Sequence, residues 1–284
     1  MSTPTRVVII GGSAAGPKAA AKARRMDQHA DITIIQKEPD LSMASCGYPY
    51  YVGAFFSDRN QLLCTPTGAV RDPVFYMNAK GITALTKTEA VAIERGRRIV
   101  RCRPTDGGDE REVPYDRLVL ATGATPILPP VPGTDLEGVT TLQSMRDADY
   151  LRRIRDERRI KRAVVVGGGL IGVETCEALH LAEIGITVVE MMPQILMFLD
   201  PEMARLVENH MRAKGAHLVT NNPVAAFLGE NGKLTGVRLK NGTELPCELA
   251  VVATGVRPNG ALARAAGLEI GARGGVAVNE FMQT

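Results

Sequence analysis

No Cys-x-x-Cys pair occurs in this 284-residue chain; Cys46, Cys64, Cys102, Cys176 and Cys247 are scattered and odd in number. That spacing suggests neither a zinc site nor a disulfide framework. His29, His180, His210 and His217 lack metal-ligand spacing too, so no metal centre is expected. No charge of one sign is in excess: a net charge of +3 argues for neither a nucleic-acid partner nor a membrane surface. No uninterrupted apolar run approaches the ~18 residues of a membrane span. Only five residues precede the strand pattern at Arg6–Ile10, which leaves no room for a signal peptide. These absences predict a cytoplasmic protein. The length, with 45% apolar residues, predicts about two globular domains.

What is present is a pattern that occurs twice. Val7-Val8-Ile9-Ile10 is a continuous apolar run, as expected of a parallel strand buried on both faces. Gly11-Gly12-Ser13-Ala14-Ala15-Gly16 follows, and then an alanine-rich helix pattern from Pro17 to Met26. Strand, glycine turn and helix form the context in which such a turn cradles the pyrophosphate of a dinucleotide. Ser13 stands where the backbone must approach that pyrophosphate. Gln36 ends the next strand, Ile32–Ile35, where a carboxylate usually accepts from ribose hydroxyls. The second copy has every glycine. Ala163–Val166 runs into Gly167-Gly168-Gly169-Leu170-Ile171-Gly172, a helix pattern continues to Glu183, and the strand Ile186–Val189 ends in Glu190. A carboxylate there favours a free 2′-hydroxyl over a 2′-phosphate, so NADH is expected rather than NADPH. Each copy closes on an apolar strand ending in Thr-Gly: Ala121-Thr122-Gly123 in the first and Ala253-Thr254-Gly255 in the second.

Between the copies, Gly81–Tyr115 predicts a small antiparallel meander, and the proline-rich Pro126–Gly133 predicts a stiff crossover. Ser144 is positioned to cap a helix to about Arg159, and the arginines from Arg152 to Arg162 read as a solvated face. Ser42-Met43-Ala44-Ser45-Cys46-Gly47-Tyr48-Pro49-Tyr50-Tyr51 is the candidate for chemistry. Pro49 fits the first turn of a helix beginning at Cys46, and a thiol at a helix start is favoured as thiolate.

The order of these motifs resembles the pyridine nucleotide–disulfide oxidoreductases, flavoproteins with two dinucleotide-binding domains, over essentially the whole chain. The resemblance implies an α/β protein in which a second Rossmann-like domain is inserted into a first. FAD is then expected on residues 1–142, NADH on 143–260, and a return to the first domain over 261–284. It implies FAD contacts from Gly11, Ser13, Ala14, Ala15, Gly16, Gln36, Lys37, Ala121, Thr122 and Gly123. Contacts to NADH are implied from Gly167, Gly169, Leu170, Ile171, Gly172, Glu190, Thr254 and Gly255, with Glu174, two residues into its helix, meeting the nicotinamide amide. Ser42-x-x-x-Cys46-Gly47-x-Pro49-Tyr50 resembles the single-cysteine branch, which includes coenzyme A-disulfide reductases, persulfide reductases, NADH oxidases and NADH peroxidases. Tyr51 stands where a second cysteine of another branch would be. No histidine lies in the first glycine turn, which tilts the expectation toward thiol–disulfide chemistry at Cys46. Ser42, Ser45 and Arg24 are then expected at a small thiol or disulfide substrate, coenzyme A among the candidates. Relative to the resembled family the chain is expected to lack a C-terminal part that carries a flavin contact and a homodimer interface, which predicts weak or absent FAD binding, lost or very low disulfide reductase activity, and a second module still able to take NADH. The alternatives are an oxidase or peroxidase, a reductase serving a small electron-transfer protein, and a nucleotide-binding fragment without turnover.

Overall fold

The computed structural model describes residues 3–284, which divide into two compact units. The first runs to Ser45 and adds Asp58–Thr125 and Arg257–Thr284; the second comprises Cys46–Ser57 and Pro126–Val256. The second unit is thus inserted into the first, but the boundaries differ from expectation. They fall at 125/126 and 256/257 rather than at 142/143 and 260/261, because the proline-rich crossover belongs to the second core. Val131 and Leu136 pack against that core, and Phe227 N–H donates to Pro132 O at 2.9 Å.

The first unit is built on a four-stranded parallel sheet in the order Ile82–Leu85, Asp31–Ile35, Arg6–Ile10, Arg117–Leu120. Alternation along the strands gives it two apolar faces. Ile9, Ile32 and Ile34 meet Ala20 of the helix Ala15–Met26 and Tyr76 of the helix Pro73–Lys80. Val8, Ile10 and Ile35 meet Val100, Cys102 and Tyr115 on the other side. Each such buried aliphatic side chain contributes about 1.5–3 kcal/mol relative to exposure. The second face is covered by an antiparallel sheet of Thr88–Glu94, Ile99–Pro104 and Arg111–Pro114. The meander therefore starts at Thr88 rather than Gly81. Ile82 is wholly buried and pairs in parallel with Ile32, so its strand belongs to the main sheet.

The second unit repeats this plan. Its parallel sheet has the order His217–Val219, Gly185–Val189, Arg162–Val166, Leu249–Val252, Val139–Thr140. Val164, Val166 and Val252 face Phe227, Val237 and Leu239 of a second antiparallel sheet, Val224–Glu230, Lys233–Leu239 and Glu244–Pro246. One meander was expected and two are found. The helix Leu170–His180 packs on the strands Arg162–Val166 and Gly185–Val189. The helix Met145–Glu157 begins in a capping box, where Ser144 Oγ accepts from Asp147 N and Asp147 Oδ2 accepts from Ser144 N. Among the described residues no helix is long and apolar enough to cross a membrane, and no cluster of side chains is suited to a metal ion.

Candidate functional site

Both glycine turns lie at the carboxyl end of the first parallel strand of their unit, where open α/β sheets bind ligands. Gly11 and Gly167 take matching backbone conformations, φ +112° and +111°. A Cβ at either would run into a main-chain oxygen of the neighbouring strand end, Ala121 O or Ala253 O. This is the physical reason the glycines sit at those positions in both copies.

The second turn opens into a cleft of about 710 Å³. Gly167–Ile171 form one wall, Glu190–Met192 another, and Thr254–Val256 a third. Gly169 is the N-cap of the helix Leu170–His180 and takes an extended conformation; a Cβ there would meet nothing within 4 Å. The first N–H bonded within the helix is Val173 N to Gly169 O, so those of Leu170, Ile171 and Gly172 lack intrahelical partners. Free N–H groups beside an open space at the positive end of a helix suit the pyrophosphate of a dinucleotide.

Glu190 is 9% exposed. Its Oε2 accepts from Gly168 N at 2.6 Å and its Oε1 from Met192 N at 2.8 Å. The carboxylate thus braces the turn while standing in the cleft wall, with lone pairs left for ribose hydroxyls. Glu174 is the fifth residue of its helix rather than the second, is exposed, and does not line this cleft. Thr254 Oγ1 donates to Ile127 O at 2.6 Å, so its hydroxyl is used in closing the strand end.

In the first unit two clefts, of about 850 and 680 Å³, adjoin the strand end at Thr122. Ala15 and Ala121–Gly123 line the larger; Gly11, Gln36 and Lys37 line the smaller. Ser13, Ala14 and Ala15 are exposed and Gly16 is buried. Gln36 repeats the bracing seen at Glu190 with other chemistry: its Oε1 accepts from Gly12 N at 2.9 Å while Nε2 donates to Asp40 O at 3.2 Å. Lys37 pairs with Glu89 at 2.9 Å and holds that carboxyl below its usual range. Asn259 was not singled out from the sequence. It donates to Thr122 O at 2.9 Å and accepts from Thr125 Oγ1 at 2.7 Å, while its backbone oxygen accepts from Thr122 Oγ1 at 2.8 Å. It lines both clefts. The run Val256-Arg257-Pro258-Asn259 after the second Thr-Gly was the available signal.

Cys46 is exposed, Cys64 half-buried, and Cys102, Cys176 and Cys247 are buried. Burial pushes the Cys102 and Cys176 thiols up to about 11 and the Cys247 thiol up to about 12. The expectation that a helix begins at Cys46 needs correction. Cys46 lies in a 3₁₀ turn, Ser45–Gly47, and the α-helix that follows is only Tyr48–Val52. Gly47 is its N-cap and Pro49 lies in its first turn, so a proline without an N–H halts the helix from extending backward to the thiol. Ser45, next to Cys46, is exposed.

Two residues expected at a substrate are engaged elsewhere. Ser42 is buried; its N–H donates to Gly12 O at 2.8 Å and its hydroxyl is hydrogen-bonded to Tyr76. Arg24 donates to Lys80 O, Gly81 O and Gln28 O at 3.0, 2.7 and 2.7 Å. It thereby satisfies carbonyls at the end of the helix Pro73–Lys80, a structural use of its fork of donors.

The profile of the pyridine nucleotide-disulphide oxidoreductases matches residues 5–284. The chain belongs to that family. Members use FAD together with NAD(P)H. A protein described as an NADH oxidase of Methanocaldococcus jannaschii is 35% identical over 98% of this chain and 60% of its own length. An NAD(P)H sulfur oxidoreductase (CoA-dependent) of Pyrococcus abyssi is 33% identical over 98% of the chain and 59% of its own length. The structure of an NAD-dependent persulfide reductase from A. fulgidus is 43% identical, with a TM-score of 0.94, covering 98% of this chain and 51% of that one. The chain thus spans about 60% of the length of the curated relatives it matches.

Proposed function

We propose that this protein is an FAD-dependent oxidoreductase that spends NADH on reducing a disulfide, persulfide or polysulfide through Cys46, with coenzyme A disulfides among the substrates. The observation that carries this reading is the exposure of Cys46 while Cys102, Cys176 and Cys247 are buried and held as thiols. The sulfur and persulfide reductases among the relatives support the substrate class.

In this reading NADH lies in the second unit. Its pyrophosphate takes the free N–H groups beside Gly167, Gly169 and Gly172, at Leu170 and Ile171, with Thr254 and Gly255 opposite. Glu190 takes the ribose hydroxyls, and Glu174 remains assigned to the nicotinamide amide. FAD lies in the first unit on Gly11, Ser13, Ala14, Ala15 and Gly16, with Gln36 and Lys37 on the ribose side and Ala121, Thr122 and Gly123 at the strand end. When bound, FAD supplies the passage of an electron pair from dihydronicotinamide toward sulfur. The chain's own part is thiol chemistry. The Cys46 thiolate attacks a disulfide sulfur, one thiolate leaves, and a mixed disulfide remains. Two electrons and a proton then free the second thiol and restore Cys46, so that NADH, a proton and a disulfide give NAD⁺ and two thiols. Ser45, adjacent and exposed, is the remaining candidate for orienting the substrate sulfur. The full-length form is proposed to act as a homodimer.

A second reading, an NADH oxidase, is favoured by the name of the 35% identical relative. Anaerobic NADH oxidation separates the two. The reductase reading expects turnover with coenzyme A disulfide or polysulfide without oxygen; NADH consumption that requires oxygen and yields no thiols supports the oxidase.

A further inference from the structure

The arginine run on the helix Met145–Glu157 reads in the sequence as a solvated face, yet Arg152 departs from that reading. Its side chain is only 16% exposed. Nη1 donates to Tyr51 O at 2.7 Å and to Phe56 O at 3.1 Å, and Nε donates to Asp156 Oδ2 at 2.9 Å. The guanidinium carbon lies 5.3 Å from the centre of the Tyr51 ring, within cation–π range. The Tyr51 hydroxyl in turn donates to Asp149 Oδ1 at 3.1 Å.

Asp149, Arg152 and Asp156 are spaced three and four residues apart, so they form one stripe along the helix. Burial pushes the Asp156 carboxyl up, but its bonds to Arg152 and Arg155 outweigh this and hold it below its usual range. It therefore stays charged and fixes the arginine. The stripe grips the segment that follows Cys46. Tyr51 lies in the last turn of the short helix and Phe56 lies beyond its closing turn, in which Gly53 N donates to Pro49 O and Phe55 N to Tyr50 O. Five helical residues have no stability of their own in water, so the segment's shape depends on what it docks against. One guanidinium clips both sides of its turn. The same segment, Cys46–Ser57, falls in the second unit by its contacts although its chain neighbours on both sides lie in the first.

We propose that Arg152 is a positioning residue for Cys46: it fastens the cysteine-bearing segment to the nicotinamide-binding unit and so fixes where the thiol is held. This rests on the reading of Cys46 as the redox thiol. Lysine can reach the carbonyls as a point charge, but it cannot keep Nε on Asp156 while bonding two oxygens through the fork, so it replaces arginine only in part.

The test compares the full chain with Arg152→Met and Arg152→Lys, using amide hydrogen exchange, the rate of Cys46 alkylation by iodoacetamide, and steady-state kinetics of the FAD-loaded protein. In Arg152→Met, exchange at Gly53, Ala54 and Phe55 rises at least tenfold, while the amides of the strand Arg162–Val166 keep their protection. Cys46 alkylation rises at least threefold. The kcat for disulfide reduction falls at least tenfold, with the KM for NADH within twofold. Arg152→Lys lies between parent and methionine variant on each readout, and it carries the test should Arg152→Met fail to fold. Exchange and alkylation at the parent's rates in both variants overturn the proposal. Its failure is distinct from failure of the redox reading, which would show as equal disulfide turnover by the parent and Cys46→Ser.

Discussion

Replacing Glu190 by glutamine removes one charge and one acceptor at a site where both matter. The parent carboxylate faces two main-chain donors, Gly168 N–H at 2.6 Å and Met192 N–H at 2.8 Å. A glutamine can accept one of these bonds, but its NH₂ must then confront the other N–H. The lost charge-assisted bond and the unpaired, nearly buried donor together cost about 2 kcal/mol. For a body of this size that is about 4–8 °C in melting temperature. Gln36 shows that the penalty comes from the partners and not from glutamine as such. In the first unit the amide donor has a carbonyl to meet, Asp40 O at 3.2 Å. Gln36→Glu should therefore destabilise as well, by setting a carboxylate oxygen against that carbonyl. Cofactor preference should move too. A carboxylate against a 2′-phosphate costs at least about 1.4 kcal/mol, or tenfold in affinity, and Met191 and Met192 supply no cation to offset it. Glu190→Gln should bring the NADPH and NADH dissociation constants to within about threefold of each other. Calorimetric melting and titration with each nucleotide measure both effects. An unchanged melting temperature together with an unchanged affinity ratio would show that Glu190 neither braces the turn nor faces the ribose.

Brief iodoacetamide treatment should label Cys46 first, since at pH 8 a thiol held at about 11 has only about one part in a thousand as thiolate, besides being buried. Peptide mapping reads this out, and early modification of Cys176 or Cys247 would contradict it. Asp116 accepts from Arg6 Nε, Nη2 and its backbone N–H, and these bonds hold its carboxyl well below the usual range. A depressed carboxyl stabilises the fold above its unfolded pKa of about 3.9, and that contribution is lost as the pH falls toward the folded value. The stability gap between the parent and Asp116→Asn should be constant from pH 7 to about 5 and shrink steadily below 4; a gap unchanged at pH 2 would count against the pairing. Arg24→Met should lower stability by about 0.5–1 kcal/mol, since the Gly81 and Gln28 carbonyls stay open to water while that of Lys80 is half-buried, with no effect on the KM for a disulfide; a raised KM would return Arg24 to the substrate.

The glycine turns were legible because their constraint is local: a side-chain-free backbone at Gly11 and Gly167 is forced by the adjacent strand end in both units. The first strand, Arg6–Ile10, was legible, since burial on both faces leaves a continuous apolar run at Val7–Ile10. The second meander went unread although its turns are marked. Asn231 and Gly232 both take positive φ, 51° and 77°, as a tight hairpin of this type requires. The helix Pro201–Ala213 was also announced by Asp200 and Pro201 at its start. Other features had no local signal. A charged stripe at Asp149, Arg152 and Asp156 looks the same whether it faces water or clasps Tyr51 and Phe56 about a hundred residues earlier in the chain. The partners of Arg24 and Ser42 had no local signal either, because the carbonyls and hydroxyl they bond lie on a distant helix, Pro73–Lys80, and its end.

In the proposed reaction, electrons from NADH leave this protein through Cys46. The most direct measurement compares the FAD-loaded parent with Cys46→Ser for reduction of coenzyme A disulfide by NADH, alongside reduction of ferricyanide, a one-electron acceptor that needs no thiol. Cys46→Ser should lose disulfide reduction at least a hundredfold and keep ferricyanide reduction within about twofold; disulfide turnover by the serine variant at the parent's rate would show that the thiol is not the route.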